Sequence, residues 1–322
     1  MRNRGVGRRT FLRGAGLAVV GASGLVPVPA AAQFAAPNSS GTERASLEAP
    51  PNACDCHHHI YDSRFAATVP PEGGGRPEPN STVADYRLLQ RRIGTTRNVI
   101  VTPGTYIGDN RVTLDAISQF GPQGRGIALI LPTITDQELK TLHGGGIRGI
   151  RFSNVAPGSP HSVEMIEPMS RRISAFGWHV EINMDADHIL ALADLWPRLA
   201  CPVVFDHMAR FPQDQSVQHP AFAMLRPLVD KGQTWIKLSF GERDSRVGPP
   251  DYPEPTRVAQ AWVQAAPERL VWGTNWPHPG GPNKADDAKV FDLLARWAPS
   301  AETRRRILVG NPEVLYDFPK SR

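Results

Sequence analysis

Three histidines in a row stand in the stretch DCHHHIYD, residues 55–62. Imidazoles bind metals, exchange protons near neutral pH and stabilise developing negative charge, so this spacing suits several chemistries. Alternate residues of a strand point to the same face, which predicts that Asp55, His57 and His59 lie together and that His58 points away. We interpret His57-x-His59 as the functional pair and His58 as a packing residue.

Polar residues also end several later strands predicted below. In chain order these residues are Arg151, Glu181, Asn183, Asp206, His207, Arg210, Asn275 and His278. Imidazoles and guanidinium groups collected at one edge suit a substrate that carries carboxylates, because arginine binds a carboxylate with two hydrogen bonds. We predict Asn183 and His278 as further contacts of that substrate.

The elements that must position these side chains alternate between apolar runs and helical periodicity. The eight runs are NACDCHHHI, RNVIVTP, RGIALILP, GIRGIRF, WHVEINMD, CPVVFDHM, TWIKLSF and RLVWGTNWP. Segments such as ADYRLLQRRIG and TRVAQAWVQAAP lie between them and have helical spacing. This order predicts an α/β fold, a (β/α)8 barrel, with its chemistry at the carboxyl ends of the strands. An open doubly wound sheet is disfavoured because no glycine-rich dinucleotide loop follows the first strand.

The first 32 residues predict an export signal. They contain five arginines and no acidic residue, with Arg8 and Arg9 paired before Phe-Leu and a short glycine-rich apolar run. Ala30-Ala31-Ala32 provides a cleavage site. This pattern resembles a twin-arginine signal, so we expect a periplasmic protein. Residues 33–51 are predicted as a linker and residues 52–322 as the barrel.

The charge of the chain excludes some classes of partner. The formal net charge is +5, but removing the five arginines of the signal leaves 31 basic and 31 acidic residues. A near-neutral mature protein argues against nucleic acid or a membrane as its partner, and the arginines and histidines at the strand ends favour a small carboxylated molecule. The sequence does not indicate an oligomeric state.

Several motifs resemble those of a known family. DCHHHIYD, FDHMAR and VWGTNWPHP are similar to strand-end motifs of the amidohydrolase superfamily. VTPGTYIGDN, GIRGIRF and NPEVLYDF resemble the branch of 2-pyrone-4,6-dicarboxylate lactonase and related sugar-lactone and muconolactone hydrolases. The resemblance runs over roughly residues 52–318 and implies an enzyme that acts on a lactone ester.

The resemblance implies roles for individual residues. His57 and His59 match the pair that polarises the scissile carbonyl, and His207 matches the histidine of the sixth-strand motif. Three arginines match groups that hold substrate carboxylates: Arg151, Arg210 and, more loosely, Arg243. In the family, an aspartate that acts as general base usually occupies position 275, where this chain has Asn275.

Asn275 leaves several functions open, because an amide cannot take a proton from water at neutral pH. In the first, the protein is a lactone hydrolase and Asp85 replaces the missing base. In the second, it is a lactone isomerase similar to galactarolactone isomerase, in which a substrate hydroxyl attacks the carbonyl. A third alternative is a periplasmic dicarboxylate-binding protein without activity. We lead with the hydrolase.

We predict no metal cofactor. Asn275 removes the carboxylate ligand that most metal-using members supply, and the nearby arginines oppose a cation. Three histidines suffice for zinc in some sites, so His57, His59 and His207 remain the alternative zinc ligands.

Overall fold

The computed structural model describes residues 34–69, 80–153, 162–240, 244–281 and 284–321. Among these, eight parallel strands form one sheet in the order β1 to β8. The strands are β1 (Cys54–His58), β2 (Arg97–Val101), β3 (Gly124–Ala128), β4 (Ile147–Ser153), β5 (His179–Asn183), β6 (Val203–Phe205), β7 (Thr234–Leu238) and β8 (Leu270–Trp272). A parallel bridge between His58 and Trp276 joins β1 to the segment after β8 and nearly closes the barrel. The predicted barrel and its eight strands are confirmed.

A helix follows each strand in the described ranges. These helices are α1 (Val83–Ile93), α2 (Arg111–Phe120), α3 (Asp136–Gly144), α4 (Ile166–Ser174), α5 (Ala186–Ala191), α6 (Pro220–Asp230), α7 (Pro253–Ala265) and α8 (Asp287–Trp297). Two short helices, α9 (Ala301–Arg305) and α10 (Asn311–Leu315), end the chain. No helix of the described ranges is both long enough and apolar enough to cross a membrane.

Two apolar cores surround the strands. The larger packs the outer strand faces against the helices. The smaller fills the barrel with inward side chains, which include Cys54, Cys56, Val99, Val101, Ile127, Val204 and Val271. Leu315, Tyr316 and Phe318 join the inner core, so the C-terminal segment closes one end of the barrel. Each buried side chain of this kind contributes about 1.5–3 kcal/mol to the hydrophobic stabilisation.

Residues 34–51, predicted as a linker, have little regular structure but pack along the barrel. The Pro37 carbonyl accepts a hydrogen bond from Trp276 Nε1 (2.7 Å), and the Arg92 Nε of α1 donates to the Glu43 carbonyl (2.7 Å). The Leu47 amide donates to Asp292 of α8. The segment therefore joins α1 and α8 on the outside. The predicted signal, residues 1–32, lies outside the described residues.

A bulge in β1 changes the predicted alternation of its side chains. The pairing with β2 moves from Asp55 opposite Asn98 to His58 opposite Ile100, so β1 contains one additional residue. Strict alternation predicted that Asp55 and His57 share a face, and this prediction is wrong. The Asp55 carboxylate instead accepts a hydrogen bond from the Tyr86 hydroxyl of α1 (2.9 Å).

The packing role predicted for His58 is confirmed. Its ring stacks on Tyr86 with centroids 3.6 Å apart, and its Nε2 lies 3.0 Å from Asn98 Oδ1. Both partners stand on the side away from His57 and His59. The bulge thus separates the three consecutive histidines into a pair inside the barrel and one packing residue outside it.

Candidate active site

Three charged side chains enter the barrel from β4, β5 and β7. Arg151 and Glu181 stand opposite each other in the β4–β5 register, and the fully buried Lys237 comes from β7. Lys237 was not predicted as a site residue. The signal was available in TWIKLSF, where Trp235, Lys237 and Ser239 alternate toward the barrel interior.

Asp206, just after β6, connects these charges. Its Oδ2 accepts from Arg151 Nε (2.7 Å), and its Oδ1 lies 3.0 Å from Lys237 Nζ. Lys237 also donates to Glu181 Oε1 (2.6 Å). Burial alone would raise the pKa of Asp206, but Lys237 and Arg151 outweigh it and hold that pKa well below its ordinary value. Two cations therefore balance two carboxylates inside the barrel.

Three imidazoles lie above this network. The ring centroid of His57 is 5.0 Å from that of His59 and 4.9 Å from that of His207. Burial, with a smaller contribution from Arg151, lowers the pKa of His59 to about 3. Burial also lowers the pKa values of His57 and His207 well below 6.5, aided by Lys237 and Arg210 respectively. All three rings are therefore neutral at neutral pH.

The hydrogen bonds of His59 define the proton positions in the pair. His59 Nδ1 lies 2.7 Å from the Val101 carbonyl oxygen, which only accepts, so Nδ1 carries the hydrogen. In a neutral ring, Nε2 then bears a lone pair. His57 Nε2, 3.3 Å away, is the donor to it. His57 therefore presents an N–H and His59 presents a lone pair.

His207 has the same tautomer as His59. Arg151 Nη2 donates to His207 Nε2 at 3.5 Å, and arginine has no lone pair to accept with. His207 Nδ1 therefore carries the hydrogen and donates to Ser239 Oγ at 3.0 Å. These contacts attach the third imidazole to β4 and β7.

A left-handed turn positions His207 and Arg210. Residues His207, Met208, Ala209 and Arg210 have φ values of 51°, 57°, 66° and 45°. This region costs an L-residue about 1–2 kcal/mol, and such strain is often found at functional sites. The turn brings Arg210 Nε to Asn183 Oδ1 (2.9 Å) and Arg210 Nη1 to Asp244 (2.8 Å).

The segment after β8 approaches the backbone of β1 closely. A Cβ on Gly273 would lie 2.6 Å from the His57 amide nitrogen, so only glycine permits this approach. Two residues later the Asn275 amide donates to the His57 carbonyl (2.8 Å), and Asn275 has a φ of 64°. The backbone of Asn275 is therefore held next to that of His57, and the catalytic role of its side chain stays a prediction.

A family model named Amidohydrolase matches residues 54–318. The chain belongs to the amidohydrolase family. It is 33% identical to the 2-pyrone-4,6-dicarbaxylate hydrolase of Comamonas testosteroni, over 85% of this chain and 92% of that protein. It is 34% identical to the 4-sulfomuconolactone hydrolase of Rhizobium radiobacter, over 84% and 92%.

Two further similarities bear on this amidohydrolase. It is 30% identical to the D-galactarolactone isomerase of Agrobacterium fabrum, over 83% of this chain and 91% of that protein. The crystal structure of an Agrobacterium tumefaciens protein without ligand superposes with a TM-score of 0.77 and 27% identity, covering 88% of this chain and 99% of that one. The predicted resemblance is confirmed, and this amidohydrolase is an enzyme, which argues against a binding protein without activity.

Other predicted site residues have contacts elsewhere in the described structure or fall outside it. Asp85 closes a capping box at the start of α1, where its Oδ2 accepts from the Thr82 amide (2.9 Å) and hydroxyl (2.7 Å). These contacts give Asp85 a structural role at the start of α1. They do not support the prediction that Asp85 is the catalytic base. His278 Nε2 lies 3.0 Å from Asp287 of α8, and its substrate contact stays a prediction. Arg243 lies outside the described residues.

The residues of this amidohydrolase do not fit a divalent cation well. Ligand atoms of His57, Asp206 and His207 lie within 4.8 Å of one another, which replaces His59 by Asp206 in the predicted zinc set. However, Lys237 Nζ is 3.3 Å from His57 Nδ1, and the Asp206 carboxylate already pairs with Lys237 and Arg151. A divalent ion there would have to displace or oppose both positive charges.

Proposed function

We propose that this amidohydrolase hydrolyses the ester bond of a lactone that carries carboxylate groups. The observation that carries this proposal is the pair of Nε2 atoms of His57 and His59, 3.3 Å apart, one an N–H donor and the other a lone pair. Ester hydrolysis needs both functions at adjacent points, a donor for the carbonyl oxygen and a base for the nucleophile. The hydrolases among its relatives act on lactones by name.

In the proposed reaction, His57 Nε2–H donates to the lactone carbonyl oxygen. Negative charge develops on that oxygen when water attacks, and a buried donor stabilises it more than water would. When His57 donates to the lactone oxygen instead of to His59, the lone pair of His59 Nε2 is released and takes the proton of the attacking water. The ring ester bond then breaks, and the proton passes to the leaving alkoxide.

Arginine side chains orient the substrate in this proposal. The described contacts of Arg151 use its Nε and Nη2 groups, which leaves other N–H donors for a substrate carboxylate. Arg210 lies on the same turn as His207 and places a second guanidinium nearby. The family resemblance of Arg243 adds a third group to the proposed carboxylate site.

Isomerisation is the second candidate, and Asn275 favours it. The same two imidazoles would serve, with His59 accepting the proton of a substrate hydroxyl in place of water. An amide beside His57 hydrogen-bonds to a hydroxyl without activating water, which would protect the lactone from hydrolysis. The isomerase relative is consistent with this alternative.

A panel of carboxylated lactones tests the proposal, with products identified by NMR. The panel contains 2-pyrone-4,6-dicarboxylate, 4-sulfomuconolactone and sugar-acid lactones, and His57→Ala serves as the control with strongly reduced activity. Free acid as the product supports the hydrolase, and a lactone with a shifted ring supports the isomerase. If purified protein turns over no lactone in the panel, the proposal is wrong for these substrates.

We also propose that the enzyme works without a metal and is exported to the periplasm. The first proposal rests on the cations around Asp206, and the second on the paired arginines of the N-terminal segment. A small molecule remains the proposed partner.

A further inference from the structure

Lys237 makes three contacts at the centre of the barrel. Its Nζ lies 2.6 Å from Glu181 Oε1, 3.0 Å from Asp206 Oδ1 and 3.3 Å from His57 Nδ1. A protonated lysine has three N–H donors and no lone pair, so three acceptors match it. Both carboxylates lie within ion-pair distance of Nζ, so they hold the amine as the ammonium ion. His57 Nδ1 is therefore an acceptor.

Asp206 competes with Lys237 for the same imidazole nitrogen. Asp206 Oδ1 lies 3.5 Å from His57 Nδ1, at the outer limit of a hydrogen bond. In histidine–aspartate pairs, Nδ1–H donates to the carboxylate, which leaves the lone pair on Nε2. Without Lys237, His57 would have this opposite tautomer available. Its Nε2 lone pair would then face that of His59.

We infer that Lys237 is a positioning residue that holds His57 as the Nε2–H tautomer, the form that donates to the substrate carbonyl. The contacts of His59 favour the same tautomer of His57. The Val101 carbonyl places the hydrogen of His59 on Nδ1, so His59 Nε2 can only accept from His57 Nε2–H. The inference rests on the proposed lactone chemistry for its consequence. The tautomer itself can be measured without any substrate.

The test compares histidine tautomers and turnover in matched variants. Lys237→Met removes the donors but leaves two carboxylates facing Arg151 alone, which threatens folding. The double variant Lys237→Met with Glu181→Gln restores the charge balance. Lys289→Met is the control, since this lysine is half exposed on α8 and contacts only Asp292 in the described ion pairs. Circular dichroism confirms folding before each measurement.

Nitrogen-15 NMR of labelled histidine side chains gives the direct readout at neutral pH, with His57→Gln used to assign the signals. We expect His57 as Nε2–H in the wild type and the Lys289 variant, and as Nδ1–H in the charge-balanced double variant. Loss of the donor should lower kcat on the order of 100-fold. KM should change much less, because the groups proposed to bind carboxylates are retained.

Each outcome decides the inference. A wild-type His57 that is Nδ1–H, or a double variant that keeps Nε2–H, overturns it. A switched tautomer with unchanged kcat overturns the positioning role. If the tautomers behave as expected but wild-type enzyme turns over no lactone, the inference about Lys237 stands and the proposed function fails.

Discussion

The backbone N–H of Asn275 donates to the backbone carbonyl oxygen of His57 (2.8 Å). This hydrogen bond connects Asn275 to the residue proposed to donate to the lactone carbonyl. A change of the Asn275 side chain therefore leaves this link intact. Only the chemistry of the side chain at position 275 changes. This makes position 275 a direct test of hydrolysis against isomerisation.

Asn275→Asp should keep or raise the formation of free acid. A positioned carboxylate base contributes about 10²–10⁴-fold, and the wild-type amide contributes hydrogen bonds only. If the enzyme is an isomerase, ring transfer should fall and free acid should appear as a new product. NMR of the products measures both, with Asn275→Ala as control. Identical product mixtures from Asn275→Asp and Asn275→Ala would show that a carboxylate has no effect here.

His57→Ala should lower kcat by about 10²–10³-fold, the usual loss for one oxyanion donor. His57→Gln should retain more activity than His57→Ala, because its amide supplies an N–H. Steady-state kinetics of both variants measure the difference, and thermal unfolding checks that they fold. Wild-type rates in His57→Ala would mean that the carbonyl donor is another group.

The buried His58 should make the enzyme less stable in acid. Burial lowers its pKa to about 3, against about 6.5 in the unfolded chain. Between these values the unfolded chain binds more protons, so the free energy of unfolding falls as pH falls. The slope from this group reaches about 1.4 kcal/mol per pH unit.

His58→Phe should reduce that slope and keep a ring stacked on Tyr86. Urea unfolding at pH 4, 5 and 6 gives the comparison. Burial raises the pKa of Asp55 to about 6 and so opposes the trend, but Asp55 is present in both proteins. Equal slopes would show that His58 does not titrate as expected.

Activity should survive chelation, because the cations at Asp206 oppose a divalent ion. We expect less than one zinc per chain by elemental analysis and unchanged kcat after EDTA treatment. Stoichiometric zinc whose removal abolishes turnover would instead make His57, Asp206 and His207 the ligands to examine.

Arg8→Lys with Arg9→Lys should keep the protein in the cytoplasm, because the paired arginines are the predicted export signal. The exported wild type should begin near Gln33. Cell fractionation and N-terminal sequencing measure both. Normal export of the double variant would remove the basis for a periplasmic location.

Local sequence patterns were enough to predict the strands and the main site residues. Apolar runs and helical spacing define which segments pack, so the barrel and the places of His57, His59 and His207 were predictable. A strand-end position also predicted Arg151. These features depend on few neighbours in sequence.

Other parts of the site depend on contacts across the barrel. The bulge in β1 arises where the strand fits its neighbour, and strict alternation misplaced Asp55. The left-handed turn of DHMAR contains no glycine or asparagine that would have marked it. The role proposed for Lys237 depends on Glu181, Asp206 and His57, which converge on it from β5, the turn after β6 and β1.

The C-terminal segment affects how substrate enters the barrel and how product leaves it. Leu315, Tyr316 and Phe318 fill one end of the barrel, and the Tyr316 hydroxyl reaches Glu181 at 3.4 Å beneath the site. The barrel is thus closed on that side of the histidines. In the proposed reaction, the product therefore leaves on the side from which the lactone enters. Bound product then blocks the next substrate molecule, so product and substrate compete for the same site.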